Sequence, residues 1–184
     1  MKKLETERLI LRKFEVEDAQ QAYNNWAGVE KIADMSDFRV HSSVNETREI
    51  IQIGLGDEEE SATWAIELKE THDLVGYIRA YEASITNKTC KISWGIGYKW
   101  LGQGISIEAM KSVIEHLIID KDFNVVTYEY YSNMDEINKP ILEDIGMKKE
   151  AVLKERKIDE KTGEKLDRII YSSFKDEYIK NKMY

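Results

Sequence analysis

A chain of 184 residues suits one domain with a sizeable core, and 42% hydrophobic with 34% charged residues is the composition of a globular protein. Thirty-five acidic against 27 basic residues give a net charge of −8, which argues against a nucleic-acid partner and suits a cationic substrate such as an amine. The single Cys90 excludes an internal disulfide, and no stretch reaches the ~20 apolar residues that a membrane span requires.

Met1-Lys2-Lys3 runs into Glu5 and Glu7 without an apolar run, so no leader peptide and a cytoplasmic location are expected. Residues 4–14 alternate Leu9 and Leu11 with Arg8, Ile10 and Arg12, the pattern of a strand with one face more buried. Residues 15–26 carry Ala19, Ala22, Tyr23 and Trp26 at helical spacing. Residues 31–43 read as irregular. Ser43-Val44-Asn45-Glu46 then has the form of a capping box, opening a helix that places Thr47, Ile50, Ile51 and Leu55 inward and ends near Gly54 or Gly56. The acidic run 57–60 reads as a solvated loop. Strands are expected over 61–67 and 74–81, turning at Thr71-His72-Asp73, with Gly76 marking a bulge or a close backbone approach. After a turn at Asn87-Lys88, residues 90–97 form the strand that feeds a glycine-rich turn.

That turn, Gly95-Ile96-Gly97-Tyr98-Lys99-Trp100-Leu101-Gly102-Gln103-Gly104-Ile105-Ser106, leads into a helix over 106–120. Ile107, Met110, Val113, Ile114 and Leu117 share one of its faces. Glycines without a Cβ allow tight turning and close ligand approach, and the helix start adds unpaired amides and the positive end of its dipole. Together these bind phosphate. A dinucleotide fingerprint would need glycine at Ile107, and a P-loop would need Lys-Ser/Thr where Gln103 and Gly104 stand. Gly104-Ile105-Ser106-Ile107-Glu108 lacks the closing glycine of a nucleophile elbow. Glu108, in the first turns of the helix, reads as structural.

Residues 124–131 are rich in Val, Thr and Tyr, as a strand is. A helix follows with Ile137, Ile141, Leu142 and Ile145 inward and Gly146 as its stop; Pro140 is expected in its first turn, which starts the helix at about Glu136 or later. A final antiparallel pair, 147–157 and 166–174, turns at Lys161-Thr162-Gly163. His41, His72 and His116 have no metal-ligand spacing to one another or to Cys90, so no metal is expected. Neither repeats nor linkers divide the chain, so residues 1–184 read as one α/β domain.

The wording Trp-Leu-Gly-Gln-Gly-Ile-Ser-Ile-Glu-Ala resembles the acyl-CoA-binding motif of the GNAT superfamily of N-acetyltransferases, usually Arg/Gln-x-x-Gly-x-Gly/Ala. Leu101 stands where Arg or Gln is usual, Gly104 matches, and Ser106 replaces Gly or Ala. Thr6-Glu7-Arg8-Leu9-Ile10-Leu11-Arg12, Ile145-Gly146-Met147 and the strand of Asp167 resemble the ribosomal-protein (Rim-type) N-terminal acetyltransferase branch, in order along nearly the whole chain. The resemblance implies the GNAT-like acyl-CoA N-acyltransferase fold, a central, mostly antiparallel sheet of about six to seven strands flanked by helices.

It also implies acetyl-CoA as co-substrate and a primary amine as acceptor, in a protein N-terminus, a polyamine or an amine-bearing small molecule. Backbone amides of Gly102, Gln103, Gly104, Ile105 and Ser106, with Leu101 in the motif, would hold the pyrophosphate; Trp94-Gly95-Ile96 would pair with the pantetheine arm. The Ile96 amide is the candidate oxyanion donor. The amine must lose a proton before attack, and Glu129 is the candidate base, with Glu82 and Asp167 as alternatives. Branch members place Asn-x-x-Ser ahead of the Gly stop, and here Asp135 and Asn138 take those places. Asn138 can donate a hydrogen bond near the sulfur but cannot give up a proton, so the acid is Tyr131, Tyr130 or solvent. The region of Asp34-Met35-Ser36-Asp37-Phe38 would lie over the acceptor, and the branch often forms dimers. The departures at Leu101, Ser106 and Asn138 also fit a catalytically weak acyl-CoA-binding regulatory module of the same fold. A different nucleotide-binding enzyme using the turn is the remaining alternative.

Overall fold

The computed structural model describes residues 1–34, 39–54 and 61–182. Along the chain, β1 (Leu4–Glu5) and β2 (Leu9–Lys13) lead into α1 (Ala19–Ala22), α2 (Glu30–Asp34) and α3 (Val44–Gly54). Three strands follow: β3 (Ala62–Leu68), β4 (Leu74–Ser84) and β5 (Thr89–Ile96). After α4 (Ile105–Glu115) come β6 (Val125–Tyr131), α5 (Asp135–Asp144), β7 (Lys148–Ile158), β8 (Lys165–Phe174) and α6 (Lys175–Lys182). The eight strands hydrogen-bond in the order β1-β2-β3-β4-β5-β6-β8-β7. This corrects the expected six to seven. The extra strand arises because the opening segment is bent: Thr6 donates its N–H to the Leu9 carbonyl (3.0 Å), and its Oγ1 accepts the Leu9 N–H (3.0 Å). The bend folds β1 back onto β2, with Leu4 opposite Leu11.

The chain forms two compact units. The first comprises Met1–Glu82 and Ser93–Val113. Here β2 runs antiparallel to β1 and β3, and β3 antiparallel to β4. Leu9 and Leu11 are fully buried while Arg12, between strand and helix, forks onto Asp18 through Nη1 (2.7 Å) and Nη2 (2.8 Å) and reaches Glu67 through Nε (2.7 Å). Ala22, Trp26, Ile32, Ala65 and Leu74 form a core cluster beneath the helices. Gly76 is the predicted close approach: a Cβ there would lie 2.2 Å from the Gly95 carbonyl oxygen, so β4 and β5 meet at a spacing only glycine allows.

The second unit comprises Ala83–Ile92 and Ile114–Tyr184. The start of β5 pairs parallel with β6, from Thr89↔Val125 to Ile92↔Tyr128; β6 pairs antiparallel with β8, and β8 with β7.

Three local expectations are corrected. Residues 31–43 are not irregular throughout, because Ile32 is buried in the core cluster and seats the short helix α2. Ile50 is 45% exposed: Thr47, buried, and Ile51, one turn on, form a stripe too narrow to cover it. Pro140 is not in the first turn but inside α5, which starts at Asp135. The missing amide frees only the Glu136 carbonyl, and both residues are exposed to water. Leu55, the acidic run 57–60 and Met35 to Phe38 lie outside the described residues.

Candidate functional site

The glycine turn lies wholly in the first unit. Strand β5 ends at Ile96, and the Gly97 N–H bonds the Val75 carbonyl (2.8 Å). A single 3-10 turn, Tyr98–Trp100, follows, closed by Trp100 N–H to Gly97 C=O (2.9 Å). Trp100 is buried and Leu101 packs on the core cluster, so the turn is anchored by apolar side chains at the position where Arg or Gln was the family expectation. Then Gly102 and Gly104 take φ of +74° and +75°, a region that side chains with a Cβ enter only with strain. No atom lies within 4 Å of where a Gly102 Cβ would sit, so the conformation, not crowding, calls for glycine there.

Helix α4 opens directly after Gly104, and its first backbone bond is Glu108 N–H to the Gly104 carbonyl (3.1 Å). The amides of Gly104, Ile105, Ser106 and Ile107 therefore precede the helical ladder. Positive-φ glycines followed by unpaired amides and a helix dipole make an anion cradle from main chain alone.

The turn is held from outside by the opening segment. Glu108 accepts Thr6 Oγ1–H (2.6 Å) and the Arg8 N–H (2.9 Å) on Oε1, and Arg8 Nε–H (2.6 Å) on Oε2. Arg8 Nη1 donates to the Gln103 carbonyl (3.0 Å). Burial pushes the Glu108 carboxyl up, but the bonds from Thr6 and Arg8 outweigh it and hold the group below its ordinary 4.5. Glu108 is structural, as expected.

The second unit carries the other candidates on β6. Its residues alternate, with Val126, Tyr128 and Tyr130 buried on one face. On that face Tyr128 donates its hydroxyl to Asn138 Oδ1 (3.1 Å), and Asn138 Nδ2 donates to the Met134 carbonyl (3.2 Å). Tyr130 donates to Asp135 Oδ1 (2.7 Å) and stacks on Tyr171 at 6.1 Å. Burial, then the Asp135 carboxylate, push the Tyr130 phenol above its usual range, so it keeps its proton. Glu129 and Tyr131 lie on the opposite face. Glu129 pairs with Lys91 Nζ at 3.1 Å and Arg168 Nη1 at 3.6 Å, while Arg168 Nη2 donates to the Tyr131 hydroxyl (3.2 Å). Strand alternation thus brings Glu129 and Tyr131 together and sets Asn138 beside Tyr128 on the other side. Of the alternatives, Asp167 is occupied by Lys154 Nζ (2.7 Å) and the Glu155 N–H (3.0 Å), and Glu82 is exposed.

The sequence pattern of the family described as Acetyltransferase (GNAT) domain matches residues 8–148. The chain belongs to the GNAT acetyltransferases. It is 26% identical over 183 residues to an uncharacterised N-acetyltransferase, p20, of Bacillus licheniformis, covering 97% of this chain and 99% of that one. A GNAT-family acetyltransferase of Bacillus anthracis has the same fold at a TM-score of 0.81, with 18% identity and coverage of 95% of this chain and 99% of that one. The ribosomal-protein-S5-alanine acetyltransferase of Vibrio fischeri superposes at 0.80, with 16% identity over 97% of this chain and 99% of that one.

This acetyltransferase is therefore an acetyl-CoA-dependent acyltransferase with the α/β fold its sequence resembles. Among the described residues no group of three His, Cys, Asp or Glu is placed to hold a metal, and no helix is long and apolar enough to cross a membrane. Arg8 and Thr6 are the site residues that sequence reasoning missed as such. Their signal was present in the opening motif, but nothing in one sequence says that it meets a turn 95 residues on.

Proposed function

We propose that this acetyltransferase moves the acetyl group of acetyl-CoA to a primary amine by direct attack in a ternary complex. The observation that carries the reading is the paired positive φ of Gly102 and Gly104 ahead of α4, a cradle suited to pyrophosphate. Amides of Gly102, Gln103, Gly104, Ile105 and Ser106 bind the phosphates; main chain at Trp94 and Ile96 takes the pantetheine arm as a pseudo-strand. The Ile96 N–H stabilises the oxyanion. Glu129 removes the proton from the ammonium, Tyr131 returns one to the thiolate, and Asn138 supplies a hydrogen bond to the donor. The family match spans parts of both units, which supports reading residues 1–184 as a single domain.

The acceptor is a cationic amine, in keeping with the net charge of −8. A protein α-amino group is the first to test, because the Vibrio fischeri neighbour is named for a ribosomal-protein alanine. Thiol release from acetyl-CoA, followed with alanine-starting peptides, polyamines and amine-bearing small molecules, tests the reading. Acceptor-dependent release with acetylated product supports it. Donor binding without turnover on any of these amines favours a second reading, a regulatory acyl-CoA-binding module. That reading has its own motive: the polar groups of β6 and Asn138 are already engaged with neighbours.

A further inference from the structure

We propose that Arg8 is a positioning residue for the acyl donor: it fixes the peptide between Gln103 and Gly104 so that the Gly104 amide faces the phosphates. The inference rests on the reading of the glycine turn as the donor site.

A trans peptide points its C=O and N–H in opposite directions. Arg8 Nη1 holds the Gln103 carbonyl at 3.0 Å, which directs the Gly104 N–H away from Arg8. The guanidinium is itself fixed, because its Nε bonds Glu108 Oε2 at 2.6 Å and its own backbone N–H bonds the other oxygen of the same carboxylate at 2.9 Å. Glu108 belongs to the first turns of α4, so Arg8 fixes the loop peptide relative to the helix whose amides complete the cradle. Nη2 would lie 3.5 Å from a Cβ on Gly104, in ordinary contact, so the plane of the guanidinium rests along the turn. Thr6 completes the latch. Its hydroxyl bonds Glu108, its backbone bonds Leu9, and its carbonyl accepts Lys69 Nζ (2.6 Å), so the segment carrying Arg8 has little freedom.

A glycine with φ of +75° can rotate its peptide easily, and a cradle of free-turning peptides loses affinity to ordering entropy. Arg8 removes that freedom before the donor arrives. Lysine cannot replace it, since an ammonium is a point charge without the planar fork that reaches carboxylate and carbonyl together.

The test compares two donors. Acetyl-CoA carries the pyrophosphate; S-acetylpantetheine has the same thioester and arm but no phosphate. For Arg8→Ala and Arg8→Lys, KM for acetyl-CoA rises about tenfold, the equivalent of one lost hydrogen bond, with kcat within about twofold. KM for S-acetylpantetheine stays at the wild-type value. A latch that merely supports the fold would instead raise KM for both donors or lower kcat for both, and that result overturns the inference. So does an unchanged KM for acetyl-CoA in both variants. If Arg8→Ala does not fold, Arg8→Lys, which keeps the stem and charge, decides alone. Wild-type protein that binds no CoA overturns the donor-site reading itself, whereas wild-type binding with unaltered variants overturns only the role of Arg8.

Discussion

The glycine turn and the tyrosine-rich strand β6 are built on opposite plans. The turn offers main-chain amides, and two side chains outside it, Arg8 and Glu108, act from behind to hold the backbone. Strand β6 offers side chains, and most of them are already satisfied: Tyr128 by Asn138, Tyr130 by Asp135, Glu129 by Lys91 and Arg168. A backbone site depends on where glycines stand in the sequence. A side-chain site depends on which distant residues arrive beside each group. The first can be read from a motif; the second has to be seen.

The contrast is broken most severely at Gly104. Gly104→Asp puts a carboxylate into the anion cradle at a φ of +75°, beside Arg8. Acetyl-CoA affinity is expected to fall about a hundredfold or more, while the strained backbone lowers stability by only about 1–2 kcal/mol. Calorimetric titration and a melting curve separate the two effects. On the β6 side, Glu129→Gln is expected to lower kcat about a hundredfold at pH 7, the lower end for losing a general base. The deficit should shrink as pH approaches the amine's own value, ~8 for an α-amine, where neutral acceptor is plentiful. A pH profile as flat as wild type would remove Glu129 from the mechanism.

A finer distinction lies between adjacent tyrosines. Tyr131→Phe should lower kcat, whereas Tyr130→Phe should leave it unchanged and cost about 1 kcal/mol of stability by losing the bond to Asp135. Steady-state rates beside chemical denaturation check both. The smallest effect concerns acid stability. Glu108 is held below its ordinary 4.5, so in the window between its folded value and 4.5 the unfolded chain binds more protons than the folded one. Its contribution is present above pH 4.5 and is lost as pH falls through the folded value. Melting temperatures of Glu108→Gln should therefore lie below wild type at neutral pH and converge with it in acid.

The same contrast explains what the sequence made legible. Strand β5, the turn and the start of α4 were placed within a residue or so, because glycine spacing and a helical apolar stripe are local signals; the α-helix ends at Glu115, and His116–Asp120 continue as a π-helical turn rather than as α-helix to 120. The extra strand was missed because one bond pair at Thr6 and Leu9 breaks what reads as a continuous alternation. Helix α2 was missed because one buried residue, Ile32, seats five residues that show no periodicity of their own. Pro140 sits deeper in α5 than the rule allows because the carbonyl it orphans faces water. At the candidate site, Glu129 and Asn138 were both singled out from sequence. That Glu129 and Tyr128 lie on opposite faces of β6 follows from alternation, but the partners come from elsewhere: Lys91 of β5 and Arg168 of β8 for Glu129, and Asn138 of α5 for Tyr128, which no spacing announces.

The central claim is that the main-chain turn of the first unit binds the acyl donor. Calorimetric titration of acetyl-CoA into wild-type protein and into Gly104→Asp tests it most directly. Saturable one-to-one binding to wild type, lost in the variant while its melting curve remains cooperative, is the predicted result. Equal affinity in the two proteins would contradict the account.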